Sequence, residues 1–275
     1  MSLLINNTEE RSLYTSFSTD FLQGVLSWRL WLFLGVYEVR RRYRRTIIGP
    51  FWNTISLAVF VFVVGWIGAG LWREDVGEYM IFLCTGMLVW FLVAPIMNES
   101  TSLFIDNESV ITNYKIEATL LAVVCVVRNV FVFAHNFLLY LAFCLFFGFT
   151  PAFPEVLLFL PGLALLCING IWVSLLIGLL CTRFRDIKQI ITLFTSIAMF
   201  ITPIFWTASK LESTQHTVFV MGNPLYHLLE IVRAPLLGVV PSMENYIAVL
   251  LITVGGFLLT FALFRNKYHR LVFWL

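Results

Sequence analysis

Long apolar runs alternate with short polar connections along most of this chain. Six runs are long enough to cross a bilayer, because a spanning helix needs about 20 consecutive apolar residues. They cover about residues 51–71, 79–97, 118–149, 156–181, 189–206 and 246–264. The pattern predicts an all-α integral membrane protein with six transmembrane helices. The third run is too long for one perpendicular span, so we expect it to begin as a helix outside the bilayer.

The residues before the first span divide into two parts. Residues 1–18 are polar and include acids, which predicts a cytoplasmic tail rather than a cleaved signal peptide. Residues 19–46 mix tryptophan and leucine with arginine and glutamine, and their continuous apolar part is too short to span. This mixture predicts an amphipathic helix lying in the membrane interface, with Thr19 or Asp20 as its cap. The remaining residues, 47–275, form the predicted six-span transmembrane domain.

The segment between the fifth and sixth runs, 207–245, is not a simple loop. It contains Asn223 as a helix cap, Pro224 at a first helical position, and apolar residues at helical spacing up to Pro235. This pattern predicts short re-entrant external helices before the last span. Irregular backbone at membrane depth is tolerated only where protein covers it or it lines water, so we expect these helices to face a cavity.

Composition and charge support the membrane interpretation and give an orientation. Hydrophobic residues make up 60% of the chain and charged residues 12%, against about a quarter charged in soluble domains. With both termini inside, fourteen of the 18 lysines and arginines lie in cytoplasmic segments and three outside, Arg73, Lys210 and Arg233. The positive-inside rule therefore predicts cytoplasmic termini. The five cysteines include no CxxC pair, so neither a zinc site nor any other metal site is indicated.

Four motifs resemble a known family when taken in order: RRYRRTIIGPFWNTI, IDNESVITNYKIEAT, CTRFRDIKQI and NPLYHLLEIVRAPLLG. The chain resembles the permease subunits of ABC type 2 exporters, especially those exporting lipid-linked polysaccharide: O-antigen (the Wzm type), teichoic acid and capsule. The resemblance implies a homodimer in the bacterial inner membrane. It also implies two copies of a cytoplasmic ATPase that bind ATP and magnesium, and a polyprenyl-pyrophosphate-linked polymer as cargo. It implies no nucleic-acid partner.

The chain lacks the residues for ATP hydrolysis. A P-loop needs Gly-Lys followed by Ser or Thr, and none of the four lysines follows a glycine. We therefore expect a permease that is not an enzyme, with no catalytic residues and no cofactor of its own. Alternatives are an exporter of a small hydrophobic drug or lipid, a polyprenyl-phosphate transferase, and a secondary transporter. The transferase is disfavoured because the histidines are dispersed, at His135, His216, His227 and His269.

Five arginines in six positions precede the first span. Arg40 and Arg41 fit an anchor on anionic headgroups. The resemblance places the turn at Gly49 at the cytoplasmic entrance of a channel. Guanidinium groups donate paired hydrogen bonds to phosphate oxygens, so the predicted pyrophosphate site consists of entrance residues Tyr43, Arg44, Arg45 and Gly49.

Two polar connections resemble the family's coupling elements, which dock on the ATPase; the alternative is a solvated turn. The residues assigned to this role are Asp106, Glu108, Lys115, Arg183, Arg185, Asp186 and Lys188. The resemblance further places an external gate at Asn223, Pro224, Tyr226, Glu230 and Arg233. Glu230 and Arg233 are three apart and can pair along one helix face, with a weak surface ion pair as the alternative.

Channel-lining residues are predicted from polar and aromatic positions within the spans. Arg128 and His135 share a face of the third span, where they either line a channel or form a structural network. A proton relay is disfavoured because the predicted spans contain no acid. Aromatic faces let a sugar polymer slide, whereas lipid contact is the alternative for most aromatics. The aromatic candidates are Trp52, Phe60, Trp66, Phe200, Phe205 and Trp206.

Overall fold

The structure is a computed structural model that describes residues 17–114, 116–208, 214 and 217–275. Helices make up all the regular structure of this part of the chain. They are α1 (Phe17–Leu26), α2 (Trp28–Tyr43), α3 (Phe51–Trp72), α4 (Val76–Ser100), α5 (Glu108–Tyr114), α6 (Ala118–Phe147), α7 (Phe159–Arg183), α8 (Ile187–Ile201), α9 (Pro224–Leu236), α10 (Met243–Lys267) and α11 (Leu271–Trp274). Short 3-10 turns precede α7 and α11, and a π-helical turn, Thr217–Met221, precedes α9.

Five helices of the described chain are long and apolar enough to cross a membrane. The predicted fifth span instead contains α8, which has 15 residues. At 1.5 Å per residue it extends about 22 Å, less than the roughly 30 Å of a bilayer core. The chain leaves helical geometry at Thr202, where the backbone becomes extended. The structure thus confirms a multi-span helical protein, and the sixth crossing stays a prediction.

Helix α4 lies at the centre of the core and packs against α3, α6, α7, α8 and α9. Its side chains from Met80 to Leu92 are almost all buried, including Leu83 and Leu88. By contrast, α3 and α10 expose broad apolar faces, with Trp66 63% and Leu251 68% exposed. Such faces suit contact with lipid, because no soluble monomer exposes apolar surface on this scale.

The segment predicted as one interfacial helix forms two, α1 and α2, which are separated at Ser27. The expectation that Asp20 caps this helix is wrong, because α1 already begins at Phe17. Asp20 is 1% exposed, and both carboxylate oxygens accept from the Thr119 N–H at 3.3 Å. Asp20 therefore satisfies the open N-terminus of α6, one of the donors that a helix leaves unpaired.

Gly24 lets α1 lie directly on the start of α6. A Cβ atom at this position would stand 2.7 Å from the Leu120 nitrogen and 2.8 Å from the Thr119 Cβ. A backbone atom cannot yield as a flexible side chain can, so only glycine fits without separating the two helices.

The predicted turn into the first span is present. Gly49 has φ +65°, a left-handed conformation that favours glycine, and α3 starts at Phe51 directly after Pro50. The arginine cluster and this turn therefore lie together at one end of the helical bundle. The same end carries Arg183 and Lys267, and we call it the basic end.

Candidate functional site

A cluster of opposite charges ties α2 to the bundle at the basic end. The Arg128 guanidinium contacts the carboxylates of Glu38 on α2 and Glu99 on α4, the latter at 2.6 Å. Arg42 donates to the other oxygen of Glu99 at 2.6 Å, and Asn129 donates to Glu99 at 2.8 Å. Two cations and two anions thus neutralise each other where three helices meet, a requirement for charge removed from water.

This cluster revises two expectations about the third span. The sequence-based statement that no acid lies within a span is wrong, because α4 continues through Ser100 and includes Glu99. Arg128 is held in the structural network that was one of its two alternatives, since its side chain is only 15% exposed. His135 faces a different environment: its Nδ1 donates to the Phe131 carbonyl, and its ring lies edge-on to Phe51 at 5.3 Å.

The arginines of the cluster before α3 divide by their contacts. All five are exposed, but only Arg42 forms an ion pair, with Glu99, whereas Arg40, Arg41, Arg44 and Arg45 form no ion pair with a described residue. Helix α2 ends at Tyr43, so the first pair lies on the helix and the second pair follows it.

Tyr43 connects the predicted entrance to the first span. Its hydroxyl accepts a 2.7 Å hydrogen bond from the Asn53 side chain, and its carbonyl accepts one from Thr46. These bonds hold the segment that carries Arg44 and Arg45 close to the base of α3. The structure therefore brings together all four predicted entrance residues, while their cargo role stays a prediction.

The two predicted coupling elements also lie at the basic end and are exposed. Asp106 lies just before the short helix α5, and Glu108 is its first residue. Helix α5 contacts α11. Lys115 lies outside the described residues. The second element is the connection between α7 and α8, and all four of its assigned side chains are exposed: Arg183, Arg185, Asp186 and Lys188. Exposure at both elements is compatible with docking of a partner protein.

Several of the aromatic channel candidates converge near the end of α8. The rings of Phe200 and Phe205 stack with centroids 5.4 Å apart, and Phe60 of α3 lies 6.2 Å from Phe205. Trp206 donates to the Phe200 carbonyl and borders an open cavity of about 370 Å³. The other two, Trp52 and Trp66, lie on the exposed face of α3, 48% and 63% exposed. Contact with a polymer, lipid or second chain is equally compatible with that exposure.

The predicted Glu230–Arg233 pair is present, but it is not the weak surface pair given as its alternative. Arg233 is 4% exposed and contacts Glu230 at 2.5 Å. Its guanidinium also donates to the Pro203 carbonyl and lies 4.7 Å above the Phe82 ring. Arg233 thus fastens α9 to α4 and to the segment that follows α8.

Helix α9 begins as predicted, with Asn223 accepting from the Leu225 N–H and Pro224 at the first position. Asn223 also donates to Thr202 at 3.1 Å. Pro235 lies in the last turn, so the helix ends one residue later than expected. Tyr226 is half-buried and packs edge-on against His227. A second short helix after Pro235 is not seen; the described chain instead has the π-helical turn before α9.

The start of α9 lies deep between other helices. Leu225 and Leu228 line an apolar cavity of about 150 Å³ together with Ile96 of α4, Asn169 of α7 and Ile252 of α10. Asn169 and Ile252 lie near the middle of their helices. At the other end of α9, the Leu236 carbonyl accepts from Tyr140 at 2.6 Å.

Sequence reasoning missed the partners of three acids that organise the site: Asp20, Glu38 and Glu99. Each is an isolated acid in the sequence, and such a residue needs a partner when buried. The partners lie 99, 90 and 29 positions away along the chain. A single sequence carries no sign of pairings at these separations.

Comparison with known proteins agrees with this architecture. The sequence model of the family described as ABC-2 type transporter matches residues 29–237. A relative from Klebsiella pneumoniae, named O-antigen export system permease protein RfbA, is 24% identical over 240 residues, covering 85% of this chain and 90% of that protein. A protein of the same name from Myxococcus xanthus is 21% identical over 194 residues, covering 70% of this chain and 74% of its own length. The chain therefore belongs to the ABC-2 type transporter family.

Proposed function

We propose that this chain is the channel-forming permease subunit of an ATP-driven exporter. Its proposed cargo is a lipid-linked polysaccharide of the O-antigen kind, carried on polyprenyl pyrophosphate from the cytoplasm to the outer face of the inner membrane. The names of the relatives support the cargo class, and the family supports a membrane transport subunit that works with an ATPase.

The observation that carries this proposal is the pair of unpaired guanidinium groups beside the Gly49 turn. Arg44 and Arg45 have no carboxylate partner among the described residues, although Arg42, two positions earlier, has one. Hydrogen bonds that Asn53 and Thr46 donate to Tyr43 hold them at the base of the first span. Free guanidinium groups at a fixed position suit the recognition of a pyrophosphate.

The assembly proposed for transport is a homodimer with two copies of a cytoplasmic ATPase, which binds ATP and magnesium. The exposed segments at Glu108 and Asp186 would dock on that ATPase, and both termini would lie in the cytoplasm. The deep start of α9 supports a re-entrant external gate, and a path of aromatic side chains near Phe200 would guide the polymer. A sixth crossing by α8 and its following segment belongs to the same proposal.

The test replaces the two free arginines in cells whose own export permease has been deleted. We expect R44Q/R45Q to lower surface polysaccharide about tenfold or more, because one lost charged hydrogen bond costs roughly 1.5–3 kcal/mol. The matched control R40Q/R41Q removes the same charge one helical turn earlier and is expected to retain export. Equal export by both variants, at equal membrane abundance, would refute the entrance assignment.

A further inference from the structure

A second basic site lies at the basic end, away from the turn at Gly49. A cavity of about 330 Å³ opens between the ends of α7 and α10 and the C-terminal helix α11. Helices α2 and α3, which carry the proposed entrance, contribute nothing to its lining. The cavity is lined by Leu179, Leu180, Arg183, Phe184, Leu263, Lys267, Arg270 and Trp274.

Three cations converge on this cavity without an anion. Arg183, Lys267 and Arg270 line it, no carboxylate does, and none of the three pairs with a described acid. The Arg183 guanidinium lies 5.5 Å from the rings of both Phe184 and Trp274. Stacking on aromatic faces holds this cation in place without neutralising it. The cavity thus keeps three positive charges available for an anion.

The cavity lining changes from apolar within the membrane spans to cationic beyond their ends. Leu179 and Leu180 lie within α7 and Leu263 within α10, both candidate membrane spans, whereas Lys267 and Arg270 lie beyond the last span, which ends at Arg265. A phospholipid has the same order, with its acyl chain in the apolar layer and its phosphate at the surface. A soluble protein or free phosphate would use only the cationic rim.

We propose that this cavity binds an acidic membrane phospholipid. Its phosphate lies among Arg183, Lys267 and Arg270, and an acyl chain lies against the three leucines. Basic pockets between spans are sites for anionic headgroups. Because Arg183 ends α7 and opens the connection to α8, the lipid joins that connection to the C-terminal segment. The inference rests on membrane embedding and cavity chemistry, not on the proposed cargo.

The test measures binding of phosphatidylglycerol to the purified full-length chain by native mass spectrometry from neutral detergent. The variant K267Q/R270Q removes two of the three cations. At about 1 kcal/mol for each basic residue near a membrane surface, the loss of two is expected to weaken binding about thirtyfold. R29Q/R265Q is the matched control, because it removes two exposed arginines that do not line the cavity. It is expected to bind within about twofold of the unmodified chain.

A second measurement uses only a conservative change. Brominated phosphatidylglycerol at low mole fraction quenches nearby tryptophan, so Trp274→Phe is expected to lose more of the quenching than Trp206→Phe, which lies in the aromatic group near α8. Brominated phosphatidylcholine is expected to show no difference between the two variants. The proposal would be overturned if K267Q/R270Q and its control weakened phosphatidylglycerol binding equally, or if binding were not saturable. It would also be overturned if the two tryptophan variants were quenched equally. So would a K267Q/R270Q variant that loses a co-purified ATPase while keeping the lipid.

Discussion

Replacing Arg128 by methionine tests whether the charge cluster holds α2 on the bundle. The substitution keeps an unbranched, flexible side chain and removes its charge. Glu38 and Glu99 would then face each other with only Arg42 to offset them. Their side chains are 26% and 22% exposed, so water solvates the freed charges poorly. Two unit charges about 4 Å apart interact by roughly 4 kcal/mol at an effective dielectric constant of 20.

Removal of one member of a buried ion pair costs about 3–5 kcal/mol. At about 2–4 °C per kcal/mol for a chain of this size, R128M is expected to lower the Tm by roughly 6–20 °C. The assay is thermal unfolding of the purified chain in one detergent. In a double-mutant cycle with Glu99→Gln, we expect the double variant to lose less than the sum of the single losses, because the two side chains interact directly.

Arg41→Gln is the matched control, since Arg41 is exposed and has no ion-pair partner among the described residues. It is expected to change stability by no more than about 0.5 kcal/mol. The reasoning would be refuted if R128M and R41Q unfolded at the same temperature, or if the effects of R128M and E99Q were simply additive.

Three further predictions concern other buried contacts. The pKa of Asp20 is raised from 3.8 to about 7, because burial raises it more than the Thr119 N–H lowers it and nearby Glu117 adds to the rise. The folded state therefore binds a proton more tightly than the unfolded state, so stability falls as pH rises from about 4 to about 7. Asp20→Asn is expected to flatten this dependence in melts at pH 5, 6.5 and 8, and an unchanged slope would contradict it. Gly24→Val is expected to lower stability by about 1–3 kcal/mol through overpacking. Amide hydrogen exchange at the start of α6 is expected to become faster, and unchanged protection of these amides would count against the close contact. Arg233→Gln leaves Glu230 unpaired and is expected to cost about 3–5 kcal/mol of stability. The control is Arg73→Gln, since Arg73 is exposed and lies at the same end of the bundle as Arg233. Equal melting temperatures of the two variants would contradict the buried pairing.

Local physics accounts for the features that the sequence predicts correctly. The apolar runs give the long helices, the positive φ of the turn requires Gly49, and the spacing of three residues joins Glu230 to Arg233. Each depends on residues within a few positions of one another, so periodicity and backbone sterics are sufficient.

The remaining features depend on how distant segments pack. The sequence overestimates the length of α8 because residues 203–206 are apolar but not helical, and apolar character does not distinguish a helix from a buried irregular segment. Predicting the partners of Arg128 and Asp20 would require knowing the register in which α1 and α2 pack against α6. The contacts of Phe60 with Phe205 likewise required the packing of α3 beside the end of α8.

The most direct test of the account is ATP-dependent transport in proteoliposomes that contain this chain and its ATPase. A polyprenyl-pyrophosphate-linked glycan is placed in the membrane, and its exposure on the opposite face is followed with an impermeant glycosidase. We predict that ATP drives the glycan across the membrane with the unmodified chain and with R40Q/R41Q. With R44Q/R45Q, the transport rate is expected to be about tenfold lower. Transport of the glycan at the same rate by R44Q/R45Q, or no ATP-dependent transport by the unmodified complex, would contradict the account.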